Sequence, residues 1–169
     1  NSVIAINDNQ VDIFTKKITG YFESDDLSGL TIAIWGVSFK PNTDDIRFAP
    51  SIKLIKNLLS KGAVVKAYDP KALNNLRETI QHKNLSFCQN AFDAAKDSNS
   101  LIIATEWKEF FNIDFEELKT ILKNAVIFDG RNIYDPDLLA RKGFDYFCIG
   151  RPNRKNNISE YSKSLNVVK

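Results

Sequence analysis

The chain has 169 residues, of which 43% are hydrophobic and 26% are charged, a composition typical of an ordinary globular domain. A chain of this length buries roughly 70% of the surface that its unfolded form exposes, so it needs no disulfide or metal to fold. The net charge of +2 and the scattered basic residues argue against a nucleic-acid partner, which requires a dense basic patch. No apolar run approaches the roughly 20 residues of a membrane span, and no signal-peptide pattern opens the chain, so we expect no membrane partner.

The cysteines and the single histidine do not form a metal-binding pattern. Cys88 and Cys148 fall in segments predicted to be strands and are expected to be small buried apolar side chains. His82 lies in a polar turn. Because no closely spaced pair of ligands is present, we expect no metal site.

A helix is predicted over residues 1–26. Its apolar residues recur at three- and four-residue steps and therefore share one face: Val11, Phe14, Ile18, Tyr21 and Phe22. The polar segment INDNQ near its start has no evident partner in the rest of the chain. We therefore expect the end of a longer element whose packing partner is missing, followed by a turn-rich linker over Glu23–Gly29.

From residue 30 onward, short apolar runs alternate with amphipathic segments. Six runs predict strands: Ile32–Val37, Ala63–Tyr68, Leu85–Cys88, Leu101–Thr105, Ala125–Asp129 and Phe144–Ile149. Helices are predicted between most of them: Ser51–Lys61, Lys71–Thr79, Ala91–Lys96 capped by Asn90, Asp114–Leu122, and a last helix starting at Asp135-Pro136.

Because parallel strands need crossover connections, this alternation predicts an α/β fold. We expect a Rossmann-like, doubly wound parallel six-stranded sheet of order 3-2-1-4-5-6, preceded by the N-terminal helix. The chain divides into the helix at residues 1–26, one domain at 30–150, and a polar tail at 151–169 that we expect to be mobile.

Ligands of such sheets bind outside the carboxyl ends of the strands, near the switch point between strands 1 and 4. Strand 1 is followed by Ser-Phe-Lys, strand 4 by Glu-Trp and strand 5 by Gly-Arg-Asn. The cations Lys40 and Arg131 can neutralise phosphates there. Each also has a structural alternative: Lys40 can be a solvated loop lysine, and Arg131 can form an ion pair with Asp129 or Asp135.

Two aromatic residues occupy the same predicted edge. Phe39 or Trp107 can stack on a flat base, so the edge suits an anionic ligand that carries a ring. Phe39 can instead close the hydrophobic core at the end of the strand. For Trp107, packing in the core is the more usual role of a tryptophan.

The remainder of the loop after strand 1 argues against a dinucleotide site. Gly36 stands alone, without the G-x-G-x-x-G pattern that lets a backbone approach a pyrophosphate. Asp69 is expected to begin an Asp-Pro turn rather than to bind a ribose. Asp44 and Asp45 are expected to shape the loop through backbone hydrogen bonds and to hold Arg47 in place.

Several motifs of this chain occur together and in order in one known family. The segments are GVSFKPNTDDIRFAPS, KAYDP, ATEWKEF, FDGRNIYDP and GFDYFCIGRP. They resemble the C-terminal, UDP-binding domain of UDP-glucose 6-dehydrogenases, within the UDP-glucose/GDP-mannose dehydrogenase family. The resemblance implies that residues 30–150 bind a UDP-sugar. It also implies that residues 1–26 are the end of a central helix that links the domains and forms a homodimer.

The resemblance implies an enzyme that oxidises the C6 alcohol of UDP-glucose to a carboxylate with two NAD+, in the cytoplasm. A non-catalytic interaction domain is one alternative, and a dehydrogenase of another UDP-sugar, such as UDP-N-acetylmannosamine, is the other. The NAD-binding domain and the catalytic cysteine of the family are expected upstream of Asn1. Neither Cys88 nor Cys148 lies in a matching motif, so this chain alone is expected to be inactive.

The resemblance also assigns site residues. Phe39, Lys40 and Arg131 match residues that contact the UDP-sugar, and Arg47 matches an arginine that reaches towards NAD. The chain departs from the family at Phe48, where an acidic residue is more usual.

Overall fold

The computed structural model describes residues 2–155, with side chains from residue 9 onward. Helix α1 (Ser2–Tyr21) comes first and is followed by alternating strands and helices. The strands are β1 (Thr31–Trp35), β2 (Val64–Tyr68), β3 (Leu85–Phe87), β4 (Ser100–Ile103), β5 (Val126–Asp129) and β6 (Asp145–Cys148). The further helices are α2 (Pro50–Ser60), α3 (Leu73–Thr79), α4 (Ala91–Ala95), α5 (Phe115–Ile121) and α6 (Pro136–Arg141), with a 3₁₀ turn at Lys108–Phe110.

The six strands form one parallel sheet of order β3-β2-β1-β4-β5-β6. The predicted fold class and strand order are therefore confirmed. The order reverses between β1 and β4, so the carboxyl ends of these two strands flank the expected ligand crevice.

Polar side chains start three of the helices as predicted. The side chain of Asn90 accepts from the amide of Asp93 at 2.8 Å, and Asp135 accepts from the amide of Leu138 at 2.8 Å. Asp114 caps α5 in the same way. Each cap satisfies amides that the first helical turn leaves without an intrahelical partner.

The sheet separates two apolar layers, and β1 contributes to both. Ile32 and Ile34 face the layer that contains α1, α2 and α3, whereas Ala33 and Trp35 face the layer that contains α4, α5 and α6. This alternation follows from the two-residue period of a strand. The ring of Trp35 stacks on Phe110 with centroids 5.2 Å apart, which packs the 3₁₀ turn onto the sheet.

Helix α1 packs on this domain, so the expectation of a missing packing partner is wrong for the described side chains. Phe14 and Ile18 are buried in the core, and Phe14 meets Phe128 edge-on. The hydroxyl of Tyr21 donates to Asp145 at 3.1 Å. The apolar stripe of α1 therefore finds its partner in α2 and the sheet of the same chain.

Part of the segment predicted to be a mobile tail is attached to the sheet. Arg154 and Tyr146 exchange two backbone hydrogen bonds, at 2.7 and 2.9 Å, in an antiparallel bridge. The guanidinium of Arg154 also binds Asp137 at 3.1 Å. This pairing covers the edge of β6. Residues 156–169 of the predicted tail lie outside the described residues.

The cysteines of the described chain are free thiols, Cys88 half-buried and Cys148 buried. The prediction of a small buried side chain is confirmed for Cys148, whereas Cys88 is only partly buried. Burial raises the pKa of both thiols, which makes them less reactive at neutral pH. Within residues 2–155, no helix combines the length and the apolar character needed to cross a membrane. The same residues contain no group of three or more His, Cys, Asp or Glu side chains placed to hold a metal ion.

Two isoleucines of α1 test whether the helix is an integral part of the domain. Ile18 is fully buried, whereas Ile13 is 43% exposed. We expect Ile18→Ala to lower the free energy of unfolding by about 2–4 kcal/mol, because it leaves a cavity in the core. The control Ile13→Ala should change it by about 0.5 kcal/mol or less. Urea denaturation measures both; an equal loss in the two variants would contradict the packing described here.

Candidate functional site

Three loops meet at the carboxyl edge of the sheet, after β1, β4 and β5. The hydroxyl of Thr105, after β4, donates to the carbonyl oxygen of Ser38, after β1, at 2.6 Å. The amide of Gly130, after β5, donates to the carbonyl oxygen of Ile103, at the end of β4, at 2.9 Å. The segments predicted to carry the ligand-binding residues are therefore joined directly to one another.

Gly36 allows the first two of these loops to approach closely. Its φ is +83°, and a Cβ added there would lie 2.5 Å from the Cβ of Thr105. Any other residue would clash with this neighbour and strain the backbone. The strand also ends at Trp35, two residues earlier than predicted, because the chain turns at this glycine. The space beside the α-carbon of Gly36 is filled by Thr105. This glycine therefore does not form a glycine-rich loop that could hold a phosphate.

The carboxylate of Asp69, at the end of β2, holds the loop after β1. Its Oδ2 accepts from the amides of Val37 and Ser38, at 2.7 and 3.0 Å, and from the Ser38 hydroxyl at 3.1 Å. The indole N–H of Trp107 donates to the same oxygen at 3.1 Å. One buried carboxylate thus fixes the residues that precede Phe39 and ties them to the loop after β4.

The other oxygen of Asp69 starts the turn after β2. Oδ1 accepts from the amides of Lys71 and Ala72, at 2.9 and 2.8 Å. The predicted turn-starting role of Asp69 is confirmed, and both oxygens are occupied by the protein, so neither faces a ribose. Sequence reasoning missed the reach to β1. The sequence did contain a signal for this contact. The buried amides after β1 need a hydrogen-bond acceptor, and Asp69 ends the neighbouring strand.

The two predicted aromatic residues differ in exposure. Trp107 is buried and its indole N–H is satisfied inside the protein, so the core alternative is confirmed for it. Phe39 is 47% exposed, so the core alternative is wrong for this residue. Its amide donates to the carbonyl oxygen of Asp45 at 2.8 Å. This bond presents Phe39 and the exposed Lys40 on a closed loop rather than on a free one.

Asp45 and Arg47 form a two-pronged ion pair in the same loop. Nη2 of Arg47 lies 2.8 Å from Oδ2 of Asp45, and Nε lies 3.0 Å from Oδ1. The hydrogen bonds from the Arg47 side chain and amide lower the pKa of Asp45 to about 2, so the pair stays ionised across the neutral range. The prediction that Asp45 holds Arg47 is confirmed. Asp44 is exposed and takes part through its carbonyl oxygen, which accepts from Asn75 at 2.8 Å.

A second buried carboxylate, Asp129, shapes the loop after β5. It accepts from the amide of Arg131 at 2.8 Å and from the amide of Ile133 at 2.8 Å. The hydroxyl of Tyr146 donates to it at 2.7 Å. Burial, together with this negative neighbour, raises the pKa of Tyr146 above its ordinary value. Asp129 therefore positions the backbone of Arg131 and makes no ion pair with its guanidinium.

The side chain of Arg131 pairs with Glu106 instead, through Nε and a carboxylate oxygen. The predicted alternatives, Asp129 and Asp135, are both wrong as ion-pair partners. The arginine and glutamate side chains are 29% and 35% exposed, so the pair sits at the surface of the crevice. Sequence reasoning missed it because the two residues follow different strands, and only the adjacency of β4 and β5 brings them together.

Beside this pair lies a crevice of about 130 Å³ between α1, α2 and the strand ends. Its lining includes Arg131, Gly130, Phe14, Pro50 and Ser51. Helix α2 begins here without a capping side chain. The N-terminus of a helix attracts anions through its dipole and its free amides. The crevice thus combines a guanidinium with a helix start.

Arg47 lies at a different place. It lines a larger cavity of about 480 Å³ with Ile46, Phe48, Lys53 and Lys56. Phe48 is 83% exposed and has a φ of +59°, a conformation that costs a residue with a side chain about 1–2 kcal/mol. The amide of Ala49 donates to the carbonyl oxygen of Ile46 at 3.1 Å and closes the turn that contains Phe48. This cavity adjoins the crevice at Arg131, since Val11 and Pro50 line both, but Arg47 lines only the larger cavity and Arg131 only the crevice.

The sequence profile of the UDP-glucose/GDP-mannose dehydrogenase family, UDP binding domain, matches residues 33–136. The chain belongs to this family. The predicted recognition as its C-terminal, UDP-binding domain is confirmed, and Phe39, Lys40, Arg47 and Arg131 all fall within the matched segment.

Relatives in bacteria are UDP-glucose 6-dehydrogenases. The enzyme of Rhizobium meliloti is 39% identical over 152 residues, which is 90% of this chain and 34% of the relative. The enzyme of Rickettsia conorii is 38% identical over 149 residues, 88% of this chain and 34% of the relative. The chain thus spans about a third of the length of these relatives.

Solved structures of the family share the fold. A UDP-glucose dehydrogenase from the archaeon Pyrobaculum islandicum superposes with a TM-score of 0.70 at 24% identity, over 86% of this chain and 30% of that chain. The UDP-N-acetyl-mannosamine dehydrogenase Cap5O from Staphylococcus aureus reaches a TM-score of 0.58 at 25% identity, over 86% and 30%. These similarities support the Rossmann-like fold described above.

The role of Asp69 can be tested by replacing one carboxylate oxygen with an amide nitrogen. In Asp69→Asn, any orientation of the amide turns an N–H towards donors of the protein, so we expect the free energy of unfolding to fall by about 3 kcal/mol or more. The control is Asp44→Asn, which changes an exposed side chain and should cost about 0.5 kcal/mol or less. Urea denaturation followed by tryptophan fluorescence measures both. Equal stability of the two variants would show that Asp69 does not hold the loops.

Proposed function

We propose that this chain binds the UDP-sugar of a UDP-glucose 6-dehydrogenase. The observation that carries the proposal is the meeting of three tied loops at the switch point of a UDP-binding domain, with Lys40 and Arg131 on two of them. In the whole enzyme, the C6 alcohol of the sugar is oxidised to a carboxylate. The chain contributes binding and orientation of the nucleotide part of the substrate.

The diphosphate is the group that these cations suit. Lys40 supplies a mobile point charge on an exposed side chain. Arg131 supplies planar N–H donors, which fit two phosphate oxygens at once. The start of α2, at Pro50 and Ser51, adds the positive end of a helix dipole to the same crevice. These groups favour a doubly charged phosphate chain over a neutral sugar.

Phe39 is proposed to contact the uracil ring or the sugar. Its ring is exposed although its backbone is fixed by the bond to Asp45. A large apolar ring held at the surface loses little side-chain freedom when a ligand covers it, so it can contribute to binding at low entropic cost.

NAD+ is proposed to be bound mainly by another domain, with Arg47 as a contact from this one. The residues of this chain do not form a dinucleotide site of the usual kind, because Gly36 is packed against Thr105 and both oxygens of Asp69 are occupied. Arg47 lines the cavity that adjoins the crevice at Arg131, and its side chain is 82% exposed. Its ion pair with Asp45 holds the guanidinium at the surface, where a cofactor that approaches from outside can contact it. When bound, NAD+ supplies the hydride acceptor.

UDP-glucose is the sugar nucleotide that we propose, because the relatives at 38–39% identity carry that name. UDP-N-acetylmannosamine, the alternative, is the substrate named for a structure at 25% identity. The homodimer through residues 1–26 and the cytoplasmic location, both implied by the resemblance, stay predictions.

Titration calorimetry with UDP tests the site directly. We expect weak but saturable binding by the wild-type chain. Lys40→Ala and Arg131→Ala should each weaken it roughly tenfold, because each removes a charge-assisted contact. The controls Lys83→Ala and Arg141→Ala remove exposed cations that lie before β3 and β6, at the opposite edge of the sheet, and should leave the affinity unchanged.

Two outcomes would contradict the proposal. Absence of UDP binding by the folded wild-type chain would favour the alternative of a non-catalytic interaction domain. Binding of NAD+ more tightly than UDP would instead indicate a dinucleotide site on this domain.

A further inference from the structure

We propose that Glu106 is a positioning residue: it holds the guanidinium of Arg131 through Nε, so that the two terminal amino groups face the diphosphate of the bound UDP-sugar. This inference rests on the proposed function and deepens it. The role is indirect, since Glu106 acts through Arg131 and needs no contact with the ligand.

Glu106 is well placed to act as an anchor. Its neighbours on either side, Thr105 and Trp107, are buried and hydrogen-bonded to Ser38 at 2.6 and 3.1 Å. The backbone of Glu106 therefore has little freedom, although its side chain is partly exposed. Because this segment is held in place, the Glu106 carboxylate can fix the orientation of the Arg131 guanidinium.

Arg131 is fixed at its other end. Its amide donates to the buried carboxylate of Asp129 at 2.8 Å, and Gly130 lies against the carbonyl oxygen of Ile103. The backbone amide and the side-chain Nε of Arg131 are thus held by different acids, Asp129 and Glu106. An arginine side chain has many rotamers when it is free, so holding both ends selects a small part of its range.

Because Glu106 binds Nε, the edge of the guanidinium formed by the two terminal nitrogens stays available for a ligand. An arginine carries five N–H donors in a plane, one on Nε and four on the terminal nitrogens. Within residues 2–155, the terminal nitrogens of Arg131 have no hydrogen-bond partner. With Nε engaged by Glu106, the edge formed by these two nitrogens can still give two parallel hydrogen bonds to a phosphate.

The charge of Glu106 makes the proposal unusually easy to test. A carboxylate near a diphosphate repels it and offsets part of the charge of Arg131. If Glu106 acted only as a counter-charge, its removal would strengthen UDP binding. If it positions Arg131, removal of the acceptor must weaken binding in spite of the more positive crevice. The two roles therefore predict opposite signs.

The experiment uses three variants titrated with UDP by calorimetry. Glu106→Gln keeps an acceptor oxygen at the same reach and removes the charge, so we expect affinity equal to wild type or up to about threefold higher. Glu106→Ala removes the acceptor and should bind UDP about fivefold or more weakly than Glu106→Gln. Glu106→Asp keeps the charge but falls short by one methylene, and should bind UDP more weakly than the wild type, whereas a pure counter-charge role predicts equal affinity for the two.

A second readout follows Arg131 itself. In a ¹⁵N-labelled chain, the Nε–H resonance of Arg131 should be protected from exchange in the wild type and in Glu106→Gln, and should lose this protection in Glu106→Ala. A general loss of structure would move the near-ultraviolet circular dichroism of the adjacent Trp107 as well. If Glu106→Ala shows that change, the comparison of Glu106→Asp with the wild type decides the question, because both carry the charge and only the reach to Arg131 differs; equal affinity of these two would overturn the positioning role.

The Arg131→Ala background separates this proposal from the proposed function. There, Glu106→Ala and Glu106→Gln should bind UDP equally, because no guanidinium is left to position. If Arg131→Ala weakens UDP binding but Glu106→Ala binds as tightly as Glu106→Gln, the positioning role is overturned and the UDP site stands. If the wild type does not bind UDP, the proposed function fails, and the positioning role fails with it.

Discussion

One buried carboxylate at the end of β2 determines how the ligand edge of this domain is built. Asp69 accepts six hydrogen bonds in the described structure, four on Oδ2 and two on Oδ1. Unpaired amides at the end of a buried parallel sheet would be costly. Here a protein acid satisfies them, so the loop after β1 can close without a bound phosphate and can present Phe39 and Lys40 outward.

A buried carboxylate also fixes the loop at the end of β5. Asp129 is fully buried and satisfies the loop that carries Arg131, as Asp69 satisfies the loop that carries Lys40. The two acids that fix the loops, Asp69 and Asp129, are buried, whereas Lys40 and Arg131 reach the surface. This division gives a rigid edge with exposed positive groups, and a diphosphate can bind to such an edge without first ordering it. Glu106 is the exception, because this acid is partly exposed beside the proposed ligand crevice. Its contact with Arg131 accounts for its position.

Local patterns were enough to predict most of the fold. Strand order followed from the alternation of strands and helices, and the helix starts at Asn90 and Asp114 followed from capping chemistry. Long-range pairing was not predictable in this way. Glu106 and Arg131 are 25 residues apart, and two nearer aspartates competed for the arginine. The docking of α1 likewise depends on which surfaces the finished sheet leaves free, which a single sequence does not specify.

The most direct test of this account is a map of amide chemical-shift changes as UDP is titrated into the ¹⁵N-labelled chain. The account predicts that amides at residues 38–40, 105–107 and 130–132 shift together with one saturation midpoint, because the three loops form a single site. Amides at the opposite edge, at residues 82–84 and 142–144, should stay unchanged. Shifts confined to the cavity around Arg47 and Phe48, or to the opposite edge, would contradict the placement of the UDP site.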